Sequence, residues 1–159
     1  MDLCVVDWRA VAPILASLIA SFTALFIANR WKNQKGAEVV ANEVKDDIKD
    51  ILEIIRIVSY ITSDNTTPEQ HSDYFKTFKL LYESVVRNSL YIENCVVIDG
   101  FKDQMIDFFE HCRDLLWVDS EYKENFKKKS GYINSTGIAM VNILLPYSIY
   151  QKKFNFREK

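Results

Sequence analysis

A run of 20 residues near the amino terminus, from Ala10 to Asn29, contains no charged side chain. A helix needs about 20 predominantly apolar residues to cross the hydrocarbon core of a bilayer, so the run has the required length. Tryptophans and basic residues, which are typical of membrane interfaces, bound it on both sides. They are Trp8 before the run and Arg30, Trp31, Lys32 and Lys35 after it. The sequence therefore predicts a transmembrane helix over residues 10–30.

A cleaved signal peptide is the alternative explanation for this run. Signal peptides begin with a basic region, whereas Asp2 and Asp7 precede this run together with the single cation Arg9. The run is also longer than the 7 to 15 apolar residues typical of a signal peptide, and no small-residue cleavage site follows it. We therefore expect a retained anchor that interacts directly with the lipid bilayer.

The distribution of lysine and arginine predicts the orientation of this anchor. Three cations follow the run closely and one precedes it, and the more basic side of a span stays in the cytoplasm. Residues 1–9, including Cys4, are thus expected outside the cell as a short tail. Residues 31–66 and 67–159 are expected in the cytosol.

Alanine recurs at every fourth position of the span. Small residues at this spacing let transmembrane helices approach closely, so they favour self-association into a homo-oligomer. A bare anchor and the wall of a pore remain alternative explanations, since the hydroxyls of two serines lie beside the alanines. The predicted seam or pore comprises Ala12, Ala16, Ser17, Ala20, Ser21, Ala24 and Ala28.

After the span, apolar residues recur at helical spacing from Ala37 to about Thr62. They are Val40, Val44, Ile48, Ile51, Ile55 and Val58, and charged residues including Asp47 are assigned to the opposite side. Gly36 is the one helix breaker between the span and this pattern, so the helix is expected either to continue or to bend there. Residues 31–66 are interpreted as a long amphipathic helix and the loop after it.

The remaining chain, residues 67–159, predicts three further helices. Thr67, Pro68 and Gln70 carry the signature of a capped helix start. A third helix follows Asp99-Gly100 and ends before Lys127, and a fourth runs from near Ser135 to Tyr150. No useful length alternates like a β-strand. The fold class is predicted as all-α, with one transmembrane helix running into a small cytosolic helical bundle.

A second uncharged segment, Ser130 to Gln151, competes with this topology as a possible second span. Crossing the membrane there would place Lys152, Lys153, Arg157 and Lys159 outside, against the charge rule. A buried helix of the bundle is therefore the preferred interpretation.

Charge is divided unevenly along the cytosolic part. Residues 36–122 carry a net charge of −10, and residues 123–159 carry +6. The basic end predicts either ordinary packing beside the acidic helices or a site for an anionic ligand such as a nucleotide, an oligonucleotide or lipid headgroups. The candidate ligand residues are Lys127, Lys128, Lys129, Lys152, Lys153 and Arg157.

Motifs of catalysis are absent from the sequence. No phosphate-binding loop, nucleophile elbow or zinc-protease motif occurs, so we expect neither an enzyme nor a cofactor. The acidic and histidine residues of the third helix are assigned to a solvated face rather than to a metal site. They are Asp103, Asp107, Glu110, His111 and Asp114. Cys95 and Cys112 have no ligand spacing and predict reduced core thiols.

The amino-terminal span, the basic exit from Arg30 to Lys35 and the amphipathic helix beyond it resemble small single-pass membrane effectors of bacterial anti-phage defence operons. The resemblance implies an inner-membrane protein that oligomerises and depolarises the membrane as a gated channel, when a ligand or a regulatory protein binds its cytosolic domain. The alternative hypothesis is a membrane-tethered helical module that recruits a cytosolic protein without conduction.

Overall fold

The computed structural model describes residues 8–63, 66–116 and 123–157, and these residues are almost entirely helical. The prediction of an all-α chain with one long apolar helix at its amino terminus is confirmed. The elements, in chain order, are α1 (Trp8–Ile61), α2 (Pro68–Cys95), β1 (Val96–Val97), α3 (Phe101–Leu116), α4 (Lys123–Ser148) and β2 (Asn155–Phe156).

Helix α1 contributes to two compact units, of which the first ends at Glu38 and the second begins at Val39. The described part of the first unit is the amino-terminal portion of α1 alone. The helix continues through Gly36, so the alternative of a bend that interrupts the helix there is not what the structure contains. The second unit contains the rest of α1 and all the other elements.

The core of the second unit begins on α1 at Val40. Of the six apolar positions predicted from spacing, Val40, Val44, Ile51 and Val58 are buried, and Ile48 and Ile55 are half-buried against the core. Helices α2, α3 and α4 contribute the remaining large side chains of the core. The largest of these are Phe78, Ile92, Phe101, Phe108, Leu115, Ile133, Met140 and Leu144.

The start of α2 is as predicted. The Thr67 hydroxyl accepts a hydrogen bond from the Gln70 backbone N–H at 3.3 Å, and the Gln70 side-chain oxygen accepts one from the Thr67 N–H at 3.1 Å. Pro68 occupies the first helical position, where its missing N–H has no intrahelical partner to lose.

The start of α4 differs from the prediction by 12 residues, because the helix begins at Lys123 rather than near Ser135. The segment Lys127–Gly131, interpreted as a break, is helical. Contacts with α3 account for this: Lys129 forms an ion pair with Asp114 at 3.5 Å, and the ring of Tyr132 stacks on His111 at 5.1 Å. Tertiary packing therefore outweighs the low helix propensity of Ser130-Gly131.

Strands β1 and β2 form a short antiparallel pair that the sequence did not predict, with Val96 opposite Phe156 and Val97 opposite Asn155. Two residues are too few for a period-2 pattern to be detected. The Arg157 N–H donates to the Cys95 carbonyl at 3.0 Å, so the carboxyl-terminal segment is held against the end of α2.

Helix α4 is part of the bundle, as preferred over a second span. Its residues Ile133, Met140 and Leu144 are fully buried. Among the described residues, α1 is the one helix that is both long and apolar enough to cross a membrane.

Gly137 of α4 marks a point where three helices approach closely. A Cβ atom at this position would lie 2.9 Å from Ile55 Cδ1, 3.0 Å from Phe108 Cε2 and 3.3 Å from Ile51 Cγ2. The side chains of α1 and α3 thus occupy the space that any larger residue would need. Gly131, one turn and a half earlier in α4, has no atom within 4 Å of the same hypothetical Cβ.

We expect Gly137→Ala to destabilise the bundle by up to about 2 kcal/mol, because overpacking of the three-helix junction, worth about 1 to 3 kcal/mol, outweighs a helix-propensity gain of up to about 1 kcal/mol. Gly131→Ala is the matched control and should stabilise the chain by up to about 1 kcal/mol through helix propensity. Chemical unfolding of the full chain in detergent, followed by circular dichroism, measures both. Equal changes for the two variants would show that the junction does not limit residue size.

Candidate functional site

The amino-terminal part of α1 is an apolar surface that the chain itself leaves uncovered. Every residue from Ala12 to Lys35 is exposed, including bulky side chains such as Phe22 at 70%, Leu25 at 68% and Trp31 at 62%. We call Ala12–Asn29 the apolar segment. Its exposure distinguishes it from the core helix of a water-soluble domain, whose apolar residues are buried by neighbouring elements.

The three hydroxyl groups of the apolar segment are satisfied within α1. Ser17 donates to the Ile14 carbonyl, Ser21 to the Ser17 carbonyl and Thr23 to the Ile19 carbonyl, each at 2.8 Å. The segment therefore presents no unpaired hydroxyl donor at its surface. Such a surface is compatible with a hydrocarbon environment, where an unpaired polar group is costly.

The five alanines of the predicted seam form one exposed ridge. Residues four apart advance by about 40° around an α-helix, so the ridge is inclined to the helix axis. Ser17 and Ser21 form the adjacent ridge, about 60° from Ala20 and Ala24 respectively.

Three parts of the predicted anchor lie outside what the structure describes: residues 1–7, with Cys4, and the side chains of Trp8 and Ala10. On the other side of the apolar segment, Arg30, Trp31 and Lys32 are all exposed. Lys35 donates to the carboxylate of Glu38 at 2.9 Å. This is an exposed i,i+3 ion pair, and such pairs add little to helix stability.

The six candidate ligand residues are not brought together into one site. Lys127 and Lys128 are exposed near the start of α4, whereas Lys152 and Lys153 follow its end, about 30 Å away along the helix axis. Lys129 pairs with Asp114 of α3. Arg157 pairs with Glu93 of α2 and also donates to the Glu93 carbonyl, so its role is structural.

Three residues of the acidic face of α3, Asp103, Asp107 and Glu110, are exposed, and the other two contact α4. His111 stacks on Tyr132, and Asp114 binds Lys129. In the described ranges, no group of three or more His, Cys, Asp or Glu side chains is arranged to hold a metal ion. Cys95 and Cys112 are both free thiols, and burial raises the pKa of the Cys112 thiol above its usual value.

The sequence interpretation placed Asp47 on the solvated side of α1, and this is wrong. Asp47 is fully buried, and its Oδ2 atom accepts a hydrogen bond from the Ser89 hydroxyl of α2 at 2.7 Å. Its Oδ1 atom is buried without a hydrogen-bond partner. One turn further along α1, Asp50 Oδ2 accepts from the Ser84 hydroxyl at 2.8 Å.

Burial raises the pKa of the Asp47 carboxyl from its ordinary value of 3.8 to about 7. The Ser89 hydrogen bond opposes this rise, because it favours the ionised form, and the nearby carboxylates of Asp50 and Glu43 add to it. The group consequently changes charge near neutral pH inside the α1–α2 interface.

Helical spacing contained a signal for this buried carboxyl. Asp47 follows Val44 by three residues and precedes Ile51 by four, and both of those residues are buried. These spacings place Asp47 on the same face as the core stripe. The general expectation that charged residues face solvent outweighed this signal.

Comparisons of the chain with protein-family models, with curated proteins and with solved structures find no match.

We expect the raised pKa of Asp47 to make the fold less stable as the pH rises from about 4 to about 7. The folded chain keeps the proton up to pH 7 and the unfolded chain releases it near 3.8, so unfolding becomes more favourable across this window, by roughly 4 kcal/mol in total. Asp47→Asn, which cannot ionise, should lose this part of the pH dependence.

The measurement is unfolding of the full chain in detergent at pH 5 and pH 8. Asp46→Asn is the matched control, because Asp46 is the exposed neighbour and its removal should leave the fall in stability between the two pH values intact. The expectation would be contradicted if the free energy of unfolding changed between pH 5 and pH 8 by the same amount in the wild type and in Asp47→Asn.

Proposed function

We propose that this chain is a single-pass, self-associating membrane protein whose apolar segment crosses the bilayer and whose helical bundle lies in the cytosol. The observation that carries the proposal is the complete exposure of the apolar segment. Apolar surface costs about 25 cal/mol per Å² in water, so a helix that is uncovered over its whole circumference is stable only within lipid or against other chains.

The polar groups of the segment support the same environment. The backbone is satisfied by the helix, and the three hydroxyls donate to carbonyls of α1. The backbone and the three hydroxyls thus give up no bond to water without replacing it, and Asn29 lies at the end of the segment beside Arg30. The basic exit at Arg30, Lys32 and Lys35 supports an inside carboxyl terminus, and the inner membrane of a bacterial cell is the proposed location.

Self-association is supported by the alanine ridge. A ridge of small residues at i+4 packs against its symmetry mate at a right-handed crossing angle of about −40°, the geometry of small-xxx-small contacts. Straight helices that cross at this angle separate on both sides of the crossing point. The contact should therefore be centred on Ala20, the middle alanine of the five, and the outer alanines should matter less.

We further propose that the assembled protein acts as a membrane effector, which alters the permeability of the bilayer when its bundle receives a ligand or a regulatory protein. Support comes from the continuity of α1, since one unbroken helix supplies both the apolar segment and part of the bundle core. A tether without conduction is the second candidate. The internal hydrogen bonds of Ser17 and Ser21 favour it, because they leave no hydroxyl directed at a water-filled path.

We expect Ala20→Leu to weaken self-association at least about tenfold, which corresponds to about 1.4 kcal/mol, because it separates the helices at their crossing point. Leu18→Phe is the matched control: it also adds three carbon atoms, at nearly the same depth, but on the opposite face of α1. Energy transfer between labelled chains in lipid vesicles measures the association. Equal weakening by both variants would contradict a seam at the alanine ridge.

The same pair of variants tests the effector proposal. When the protein is expressed in bacterial cells and phage infection supplies the trigger, a potential-sensitive dye should report depolarisation for the wild type and for Leu18→Phe, and a loss of the effect for Ala20→Leu. Unchanged membrane potential with a wild-type protein that is inserted and associated would favour the tether.

A further inference from the structure

We propose that the surface formed by Ile149, Tyr150, Lys152, Lys153 and Phe156, here called the C-terminal face, docks onto the anionic headgroups of a lipid bilayer. The inference rests on the proposed function, because the bilayer meant is the one that holds the apolar segment. The proposal assigns a ligand to Lys152 and Lys153, which the structure separates from Lys127 and Lys128 at the other end of α4.

The C-terminal face combines protruding apolar side chains with free cations. Ile149 is 53% exposed, Tyr150 52% and Phe156 40%, and Lys152 and Lys153 between them are exposed as well. Within the described part of the chain, neither lysine forms an ion pair with a carboxylate; Lys152 lies over the ring of Tyr147 at 5.8 Å. Aromatic and aliphatic side chains beside lysines are typical of surfaces that lie at a membrane interface.

The C-terminal face lies at the end of the bundle where α1 enters it. The Lys45 ammonium is 5.8 Å from the centre of the Tyr150 ring, and Lys45 is only six residues beyond Val39, the first residue of the second unit. Lys45 and the apolar segment belong to the same helix, so the face is covalently joined to the proposed membrane anchor, and even a weak attraction to the bilayer is effective.

The C-terminal face is ordered before it meets lipid. Phe154 packs between Tyr147 and Phe156, with ring centres 5.5 Å and 6.1 Å away, and β2 is paired with β1. Arg157 fixes the end of the segment to Glu93. Docking thus requires little loss of conformational freedom, which is a main cost of binding.

The charge around the face favours an anionic surface. Glu93 is neutralised by Arg157, whereas Lys45, Lys152 and Lys153 are exposed. Asp99 near Tyr147, Glu43 near Tyr91 and the exposed Asp46 beside Lys45 are acidic groups on the same end of the bundle, so the attraction is moderate. A lipid surface fits better than a nucleotide or oligonucleotide, because it also covers the uncharged side chain of Ile149.

The test uses the full chain reconstituted into vesicles of phosphatidylcholine, either alone or with about one-third phosphatidylserine. Amide hydrogen exchange of residues 149–157 should be slowed about fivefold or more by the anionic lipid. Lys152→Gln combined with Lys153→Gln should remove this protection. Lys127→Gln combined with Lys128→Gln, the same loss of charge at the other end of α4, should leave it unchanged.

Equal exchange in both kinds of vesicle, or equal loss of protection in both double variants, would overturn the proposal. So would protection of the same amides by an added oligonucleotide in vesicles that lack anionic lipid. Flotation of the vesicles after an alkaline wash reports insertion separately. A chain that floats without lipid-dependent protection refutes the docking alone, and a chain that does not float refutes the proposed membrane function as well.

Discussion

The bundle depends on the core stripe of α1 that begins at Val40. Helix α2 contacts this part of α1 through the Asp47–Ser89 hydrogen bond, and α4 approaches it most closely at Gly137. Phe108 brings α3 to the same point. Because α1 provides one wall of the core, any change that shifts its stripe must move three other helices, whereas the residues of the apolar segment are all exposed.

The Asp47–Ser89 pair is an unusual component of such a core. A buried carboxylate with one unpaired oxygen reduces stability above neutral pH, and an apolar side chain would avoid this cost. The pair does fix the register of α2 against α1, because the Ser89 hydroxyl must lie opposite Asp47 to form its hydrogen bond. The Ser84–Asp50 hydrogen bond is a second bond of the same kind between the two helices. Apolar contacts alone permit more than one register, so the polar pairs supply specificity that the hydrophobic effect does not.

Local signals of the sequence predicted what depends on local structure, and they failed where tertiary contacts decide. The capping residues Thr67 and Gln70 located the start of α2 because both hydrogen bonds form within four residues. The start of α4 was misplaced because contacts of Lys129 and Tyr132 with α3 extend the helix past unfavourable residues. The apolar segment was apparent from composition, but the buried state of Asp47 and the β1–β2 pair depend on partners more than 40 residues away in the chain.

In the proposed membrane assembly, the geometry of the alanine ridge constrains how the apolar segments can pack against one another. Helices that cross at about −40° diverge away from their contact, so a ridge of this kind favours pairs over a closed ring, whose helices must remain nearly parallel at about +20°. A ring would have to use a different face, and the ridge of Ser17 and Ser21 is the nearest one with small residues. In such a ring the two hydroxyls would have to exchange their bonds to the α1 backbone for bonds to water. Conduction by the proposed assembly would therefore require a rearrangement of the apolar segments, which is what a gated effector needs and a simple tether does not.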